Sequence, residues 1–133
     1  ALEQQPLAPF ASQDFVRANP SDSGNTVRVK MENKGHTEAY IVDDERAFLG
    51  KLNIYQAIAC RDDKVSEFMD KTPIILYGDE SLKNAMVKVS QFVGESLPVV
   101  EKETNHLIGS IAEGELFQAV IDIQSEARTI ERD

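Results

Sequence analysis

Short apolar runs that end in turn-forming residues alternate along this chain with stretches whose apolar residues recur at helical spacing. The first run, Phe15-Val16-Arg17-Ala18, leads into Asn19-Pro20-Ser21-Asp22-Ser23, which predicts a strand, a turn and a helix cap at Ser23. Val27 and Met31 follow one helical turn apart, as one face of a helix requires. The same stretch, Val27-Arg28-Val29-Lys30-Met31, also alternates with period two, and Asn33-Lys34-Gly35 would serve as a hairpin turn. Taken alone it reads as a strand about as well as a helix. Ala39-Tyr40-Ile41-Val42-Asp43 and Phe48-Leu49-Gly50-Lys51-Leu52 predict the two strands of a hairpin, and Ile54 to Cys60 predicts a helix.

The second half repeats this order at an offset of about 58 residues. Pro73-Ile74-Ile75-Leu76 falls under the first run, and Tyr77-Gly78-Asp79-Glu80-Ser81 falls under the turn, with Ser81 as the second cap. Ala85 and Val89 take the places of Val27 and Met31, and Leu82, Ala85, Met86, Val89 and Phe92 form a helical stripe without a competing strand pattern. That stripe decides the first copy as well, so both segments are assigned as helices. Leu97-Pro98-Val99-Val100-Glu101 and Leu107-Ile108-Gly109-Ser110-Ile111 match the hairpin with one extra loop residue, and Gly114 to Ile123 matches the closing helix. The expected class is α/β (α+β): a β-α-β-β-α unit occurring twice.

Charge and composition narrow the partners. With 14 Lys plus Arg against 23 Asp plus Glu in 133 residues, the formal net charge is −9 and the pI about 4.7. An acidic surface without a Lys/Arg stripe lacks the attraction that nucleic acids and anionic membranes supply to basic proteins. No apolar run approaches the roughly 20 residues of a membrane-spanning helix. Residues Ala1 to Pro9 carry no basic stretch followed by an apolar one and do not read as a signal peptide. The single cysteine, Cys60, cannot form an internal disulfide, which fits a reducing compartment. It lacks a partner Cys or basic neighbours at reactive spacing and reads as a packed thiol. His36 and His106 lie near turns, one per copy, without ligand-spaced Cys or His, and read as solvent-exposed turn residues rather than metal ligands. No Gly-x-Ser-x-Gly elbow surrounds Ser96, and no catalytic constellation is visible.

The second copy resembles a CBS domain: Phe68-Met69-Asp70, Thr72-Pro73-Ile74, Ser81-Leu82 leading into Ala85-Met86, Ser96-Leu97-Pro98-Val99-Val100 and Leu107-Ile108-Gly109-Ser110-Ile111 carry the likeness. The first copy is similar but divergent, keeping Ala39-Tyr40-Ile41-Val42-Asp43-Asp44 and Phe48-Leu49-Gly50. The resemblance implies a tandem pair of CBS repeats packed pseudo-symmetrically, sheet to sheet, with clefts between them. The expected divisions are an N-terminal extension at 1–11, a first repeat at 12–60, a linker at 61–68, a second repeat at 69–124 and a solvated tail at 125–133. Phe92-Val93-Gly94-Glu95-Ser96, Glu113-Gly114-Glu115-Leu116-Phe117 and Glu126-Ala127-Arg128 further resemble the cytosolic CBS pair of CLC-type chloride channels and antiporters. CBS pairs also accompany magnesium transporters, nucleotide-synthesis enzymes and stand-alone regulators, so the alternatives are a stand-alone or magnesium-transporter-associated pair sensing an adenosine ligand and a purely structural dimerisation module with empty clefts. The resemblance implies a cytoplasmic regulatory role without catalysis, attached to the membrane-embedded part of a transport protein. It also implies homodimerisation through apolar helix faces at Ile54, Ala57 and Ile58 and at Leu116, Phe117, Val120 and Ile123.

For ligands, the resemblance implies an adenine nucleotide (AMP, ADP or ATP). Nucleotide-binding CBS units usually run Gly-x-x-Ser/Thr-x-x-Asp, in which the hydroxyl reaches phosphate and the Asp holds the ribose. Here the second copy has Ala112 and Glu115 at those places and the first has Asn53 and Gln56, so both depart from the pattern. The expected site is a cleft beside Thr72, Pro73 and Ile74, walled by Ser96, Leu97 and Pro98, with Glu115 toward the ribose. Lys51 and Lys71 are the nearest basic candidates by sequence, and the overall acidity weighs against polyphosphate.

Overall fold

The computed structural model describes residues 4–132, with side chains through Glu126. Ten main elements follow in order: β1 (Val16–Ala18), α1 (Gly24–Lys34), β2 (Glu38–Val42), β3 (Phe48–Asn53), α2 (Ile54–Cys60), β4 (Leu76–Tyr77), α3 (Leu82–Val89), β5 (Leu97–Val100), β6 (Leu107–Ile111) and α4 (Glu113–Arg132). They make two sheets of the same topology, ordered β1-β2-β3 and β4-β5-β6. In each, a helix crosses between the first two, parallel strands and a hairpin adds the third, antiparallel one. The β-α-β-β-α unit therefore occurs twice, as the sequence predicts.

The registers match as closely as the order. Ala18 pairs with Ile41 and Leu76 with Val99, so the repeat offset is kept on both strands of each parallel pair. Each hairpin carries its irregularity at the same place, between Ile41 and Val42 and between Val99 and Val100.

The ambiguous Val27 to Met31 stretch is helical. The Ser23 hydroxyl accepts the Thr26 N–H and caps one end, while Gly35 closes the other at φ 71, a left-handed conformation that costs glycine little. Val27 and Met31 are buried on the inner face, and Val29 points out. Ser81 caps α3 in the same way, through Asn84. Gly24 is required for a different reason: a Cβ there would lie 2.4 Å from the Ala57 carbonyl, because the backbones of α1 and α2 approach closely at this point. The closing helix of the second unit runs on well past Ile123, to Arg132. In the expected tail, the side chains beyond Glu126 lie outside the described residues.

Each unit has its own core between sheet and helices, and a third cluster joins them. Phe15, Tyr40, Val42 and Phe48 from the first meet Val100 and Leu107 from the second, with Phe15 stacked on Tyr40 at 5.0 Å between ring centroids. This sheet-to-sheet contact explains why β5 is buried at every position and β2 at all but its first.

The stretches expected as extension and linker are part of this packing. Val65, in a short 3-10 turn, and the following Phe68 and Met69 close the first core. Their repeat-equivalents Leu7, Phe10 and Ala11 close the second. Leu7 is fully buried, with its N–H donating to the Glu80 carbonyl at 2.9 Å. The bridges correspond too: Pro6 with Ser81 and Ser23 with Lys64, Ser12 with Ser110 and Lys51 with Asp70. The segment preceding the first repeat thus completes the second, which closes the pseudo-symmetric pair. Residues 1–3 of the expected extension lie outside the described residues.

Candidate functional site

The crossed connections create a cleft of about 330 Å³ between the repeats. The first repeat contributes Glu38, Lys51, Asn53 and Gln56 to its lining; Asp70, Thr72, Pro73, Ile74, Phe92 and Val93 come from the second half. The bridge between Lys51 and Asp70, with N–H to carbonyl distances of 2.9 and 2.8 Å in the two directions, holds these halves together.

Five of the sequence-predicted residues converge here: Asn53, Gln56, Thr72, Pro73 and Ile74. Asn53 and Gln56 form a reciprocal capping box at the start of α2, where the Asn53 carboxamide oxygen accepts the Gln56 N–H at 2.9 Å and the Gln56 oxygen accepts the Asn53 N–H at 2.8 Å. Their acceptor oxygens are thereby engaged, and both NH2 groups remain as donors.

Ser96, Leu97, Pro98, Ala112 and Glu115 are not part of this lining. Leu97 and Pro98 are buried within β5. The Ser96 hydroxyl pairs with the Tyr40 phenol, whose ionisation burial pushes upward. Glu115 is exposed and its Oε1 accepts the Ala112 N–H at 3.0 Å. Ala112 and Glu115 hold the same register positions as Asn53 and Gln56, so they belong to the opposite side of the pseudo-twofold, away from Thr72. The expected grouping of Glu115 with Thr72, Pro73 and Ile74 is therefore not what the chain builds. A sequence motif names equivalent positions, whereas the crossed connection decides which repeat's motif meets which strand.

Sequence reasoning missed Glu38, Asp70, Phe92 and Val93 and placed Lys51 only as a nearby cation. Lys51 and Ser110 are the two buried polar or charged residues among the described positions, and they occupy the same register place, directly after the glycine of the third strand. That coincidence was available in the sequence as a Lys in a strand of apolar residues. Lys51 Nζ lies 2.8 Å from Glu38 Oε1, donates to the Ser96 carbonyl and sits 4.5 Å from the Phe92 ring centroid. Burial lowers its pKa, and the Glu38 carboxylate opposes that shift.

The pseudo-symmetric side is built differently. His36 bonds Glu95 through Nδ1 and Asp14 through Nε2, the latter at 2.9 Å. This corrects the expectation of an exposed turn residue: His36 is half-buried and ties the segment before β1 to the loop before β5. The hydrogen bonds to Asp14 and Glu95 raise its pKa. Beyond it lies a groove of about 470 Å³ floored by Phe15 and Val16 and edged by Arg17, Lys30 and Lys34, with no carboxylate in its lining. Cys60 is buried, and its thiol donates to the Asp63 carbonyl at 3.0 Å. Among the described residues no group of three His, Cys, Asp or Glu is placed to hold a metal ion, and no helix is long and apolar enough to cross a membrane.

Residues 65–122 match the family model of the CBS domain. A CBS domain pair/ACT domain protein of Thermotoga maritima superposes with a TM-score of 0.79 at 19% identity, over 90% of this chain and 98% of the other. The fold is that of a CBS domain pair. CBSX2, a CBS-pair protein of Arabidopsis thaliana, gives a TM-score of 0.78 at 19% identity, over 90% and 96% of the two chains. The cystathionine beta-synthase pair domain of a putative Mg2+ transporter of Shewanella oneidensis gives 0.80 at 13%, over 90% and 71%. No curated protein matches the sequence. In this fold, the cleft of Asn53, Gln56 and Thr72 and the groove floored by Phe15 and Val16 lie at pseudo-equivalent positions, Phe15 and Val16 being the repeat-equivalents of Pro73 and Ile74.

Proposed function

We propose that this CBS pair is a non-catalytic regulatory module that binds an adenine-bearing ligand in the open cleft and passes the effect to a membrane transport protein. The observation that carries this reading is the cleft itself, which draws its walls from both repeats, so a ligand that fills it stabilises one packing of the pair over others. Two proteins of the same fold support the ligand class: CBSX2 has been solved with AMP and the cytosolic domain of the Mg2+ channel MgtE with ATP. The transport partner is supported by the magnesium transporter domains of this fold. The resemblance of the sequence motifs to the CLC type favours a chloride transport protein as that partner. A module attached to such a protein would act from its cytosolic face.

A second copy of the chain is the other proposed partner. Val29 and Val87, and Ile58 and Phe117, are exposed apolar residues at matching register positions of the two repeats, at 44%, 59%, 52% and 49% of full exposure. The predicted apolar faces are divided: Ala57, Leu116 and Val120 are spent on the intramolecular cores, and Ile58 and Phe117 remain outside. Paired apolar positions on a pseudo-symmetric body suit an isologous dimer. The ligand reading predicts a rise in melting temperature with millimolar adenosine compounds, and a melting curve indifferent to all of them would overturn it. The transport reading predicts hydrophobic spans in the same open reading frame.

A further inference from the structure

The open cleft is polar, yet it has no cation to spare for a phosphate. Lys51 is its one basic lining residue, and an ammonium has three N–H donors. Glu38 takes one, the Ser96 carbonyl takes another, and the face of Phe92 lies over the ammonium at 4.5 Å. Glu38 Oε1 also accepts the N–H groups of Glu95 at 2.8 Å and Ser96 at 3.3 Å, so withdrawing Lys51 toward a ligand would break a network joining the repeats. On the opposite side, the exposed carboxylate of Asp70 accepts the Thr72 N–H at 3.0 Å and has no cation bound to it among the described contacts. The remaining side-chain donors of the lining are neutral: the carboxamides of Asn53 and Gln56 and the Thr72 hydroxyl, which lies 3.4 Å from Asp70 Oδ1. Lys71 is exposed, outside the lining, and solvent screens it.

We infer that the cleft selects a nucleoside that carries no phosphate, neutral or cationic, over the corresponding nucleotide. The inference rests on the reading of the cleft as an adenine-ligand site and specifies what that ligand carries at its 5′ end. Pro73, Ile74, Phe92 and Val93 provide the apolar surface for a base, the carboxamides and Thr72 serve its polar edge or the ribose, and the uncompensated Asp70 carboxylate repels an anion.

The test is calorimetry with three compounds that share the adenosine frame and differ at the 5′ substituent, which is cationic, neutral or anionic: 5′-amino-5′-deoxyadenosine, adenosine and AMP. Affinity is expected to fall in that order, by about tenfold from the amine to AMP at low salt, as a difference of about three charge units beside an exposed, solvent-screened carboxylate implies. Asp70→Asn, which keeps the side-chain oxygen that caps Thr72, is expected to shrink the spread by raising AMP affinity and lowering that of the amine. AMP binding as tightly as or more tightly than adenosine, or a series that Asp70→Asn leaves unaltered, would overturn the inference while leaving an adenine site in place. If none of the three binds at millimolar concentration, the adenine reading fails and the inference with it.

Discussion

The Glu95 carboxylate of the second repeat accepts both donors of Thr37 in the first: Oε2 lies 2.8 Å from the Thr37 N–H and 2.9 Å from its hydroxyl. Oε1 meanwhile receives His36. One side chain thus fixes the loop between α3 and β5, which carries Val93 on the cleft wall, to the start of β2. Each such bond to a charged acceptor is worth about 1.5–3 kcal/mol when buried, less at this partial exposure. Glu95→Ala should therefore lower unfolding stability by about 1–2 kcal/mol in urea. A Thr37→Val, Glu95→Gln double-mutant cycle should show a coupling of about 1 kcal/mol. A coupling near zero would mean that the loop is held by its apolar contacts alone.

The same cluster sets a pH dependence. His36 has a raised pKa, so the stability it contributes is complete below its unfolded value near 6.5 and is lost as pH rises through the higher folded value. For Glu95, burial pushes its pKa upward, but the Thr37 N–H and His36 outweigh it and the net direction is down. Its contribution is present above 4.5 and disappears as pH falls through the lower folded value. The wild type should exceed His36→Gln in stability most between pH 4.5 and 6.5, with the difference shrinking on the alkaline side. Urea midpoints of the two proteins across this range check it, and a constant difference would remove His36 from the account.

Much of this architecture is written in the sequence because it is local. Caps at Ser23 and Ser81, the glycine at Gly35 and the two hairpins each depend on a few neighbouring residues, and the second copy settled the helix that Val27 to Met31 left open. The cleft was half legible. Thr72, Pro73 and Ile74 were identified from the second copy's motif, and Asn53 and Gln56 from the first, but their meeting depends on a crossed connection that no local pattern encodes. Glu38 and Lys51 meet diagonally across the local β2–β3 hairpin, where Glu38 pairs with Asn53 and Tyr40 with Lys51. His36 was misread because its partners, Asp14 and Glu95, are distant in the chain.

The role of Leu7 makes a sharper claim than its place near the amino end would suggest. It fills the core of the second repeat as Val65 fills that of the first. Leu7→Ala should cost about 2–5 kcal/mol, the range for a buried leucine. Removing residues 1–11 should destabilise the second repeat in particular, read as hydrogen-exchange protection lost in β5 and β6. Protection unchanged in those strands would show that the segment is dispensable.

The dimer proposal has its own test in sedimentation. The wild type should show about twice the monomer mass, and Phe117→Glu, at a half-exposed position, should shift it toward the monomer with an unchanged fold. A monomer at high concentration in the wild type would contradict it.

The central claim is that one adenine-bearing ligand is held by both repeats at once. Adenosine titrated into labelled protein, followed at the backbone amides of Gln56 and Ile74, tests it most directly, because these residues come from opposite walls of the cleft. The account predicts that both signals shift and saturate together with a single dissociation constant. Shifts confined to one wall, or none in either at millimolar adenosine, would contradict it.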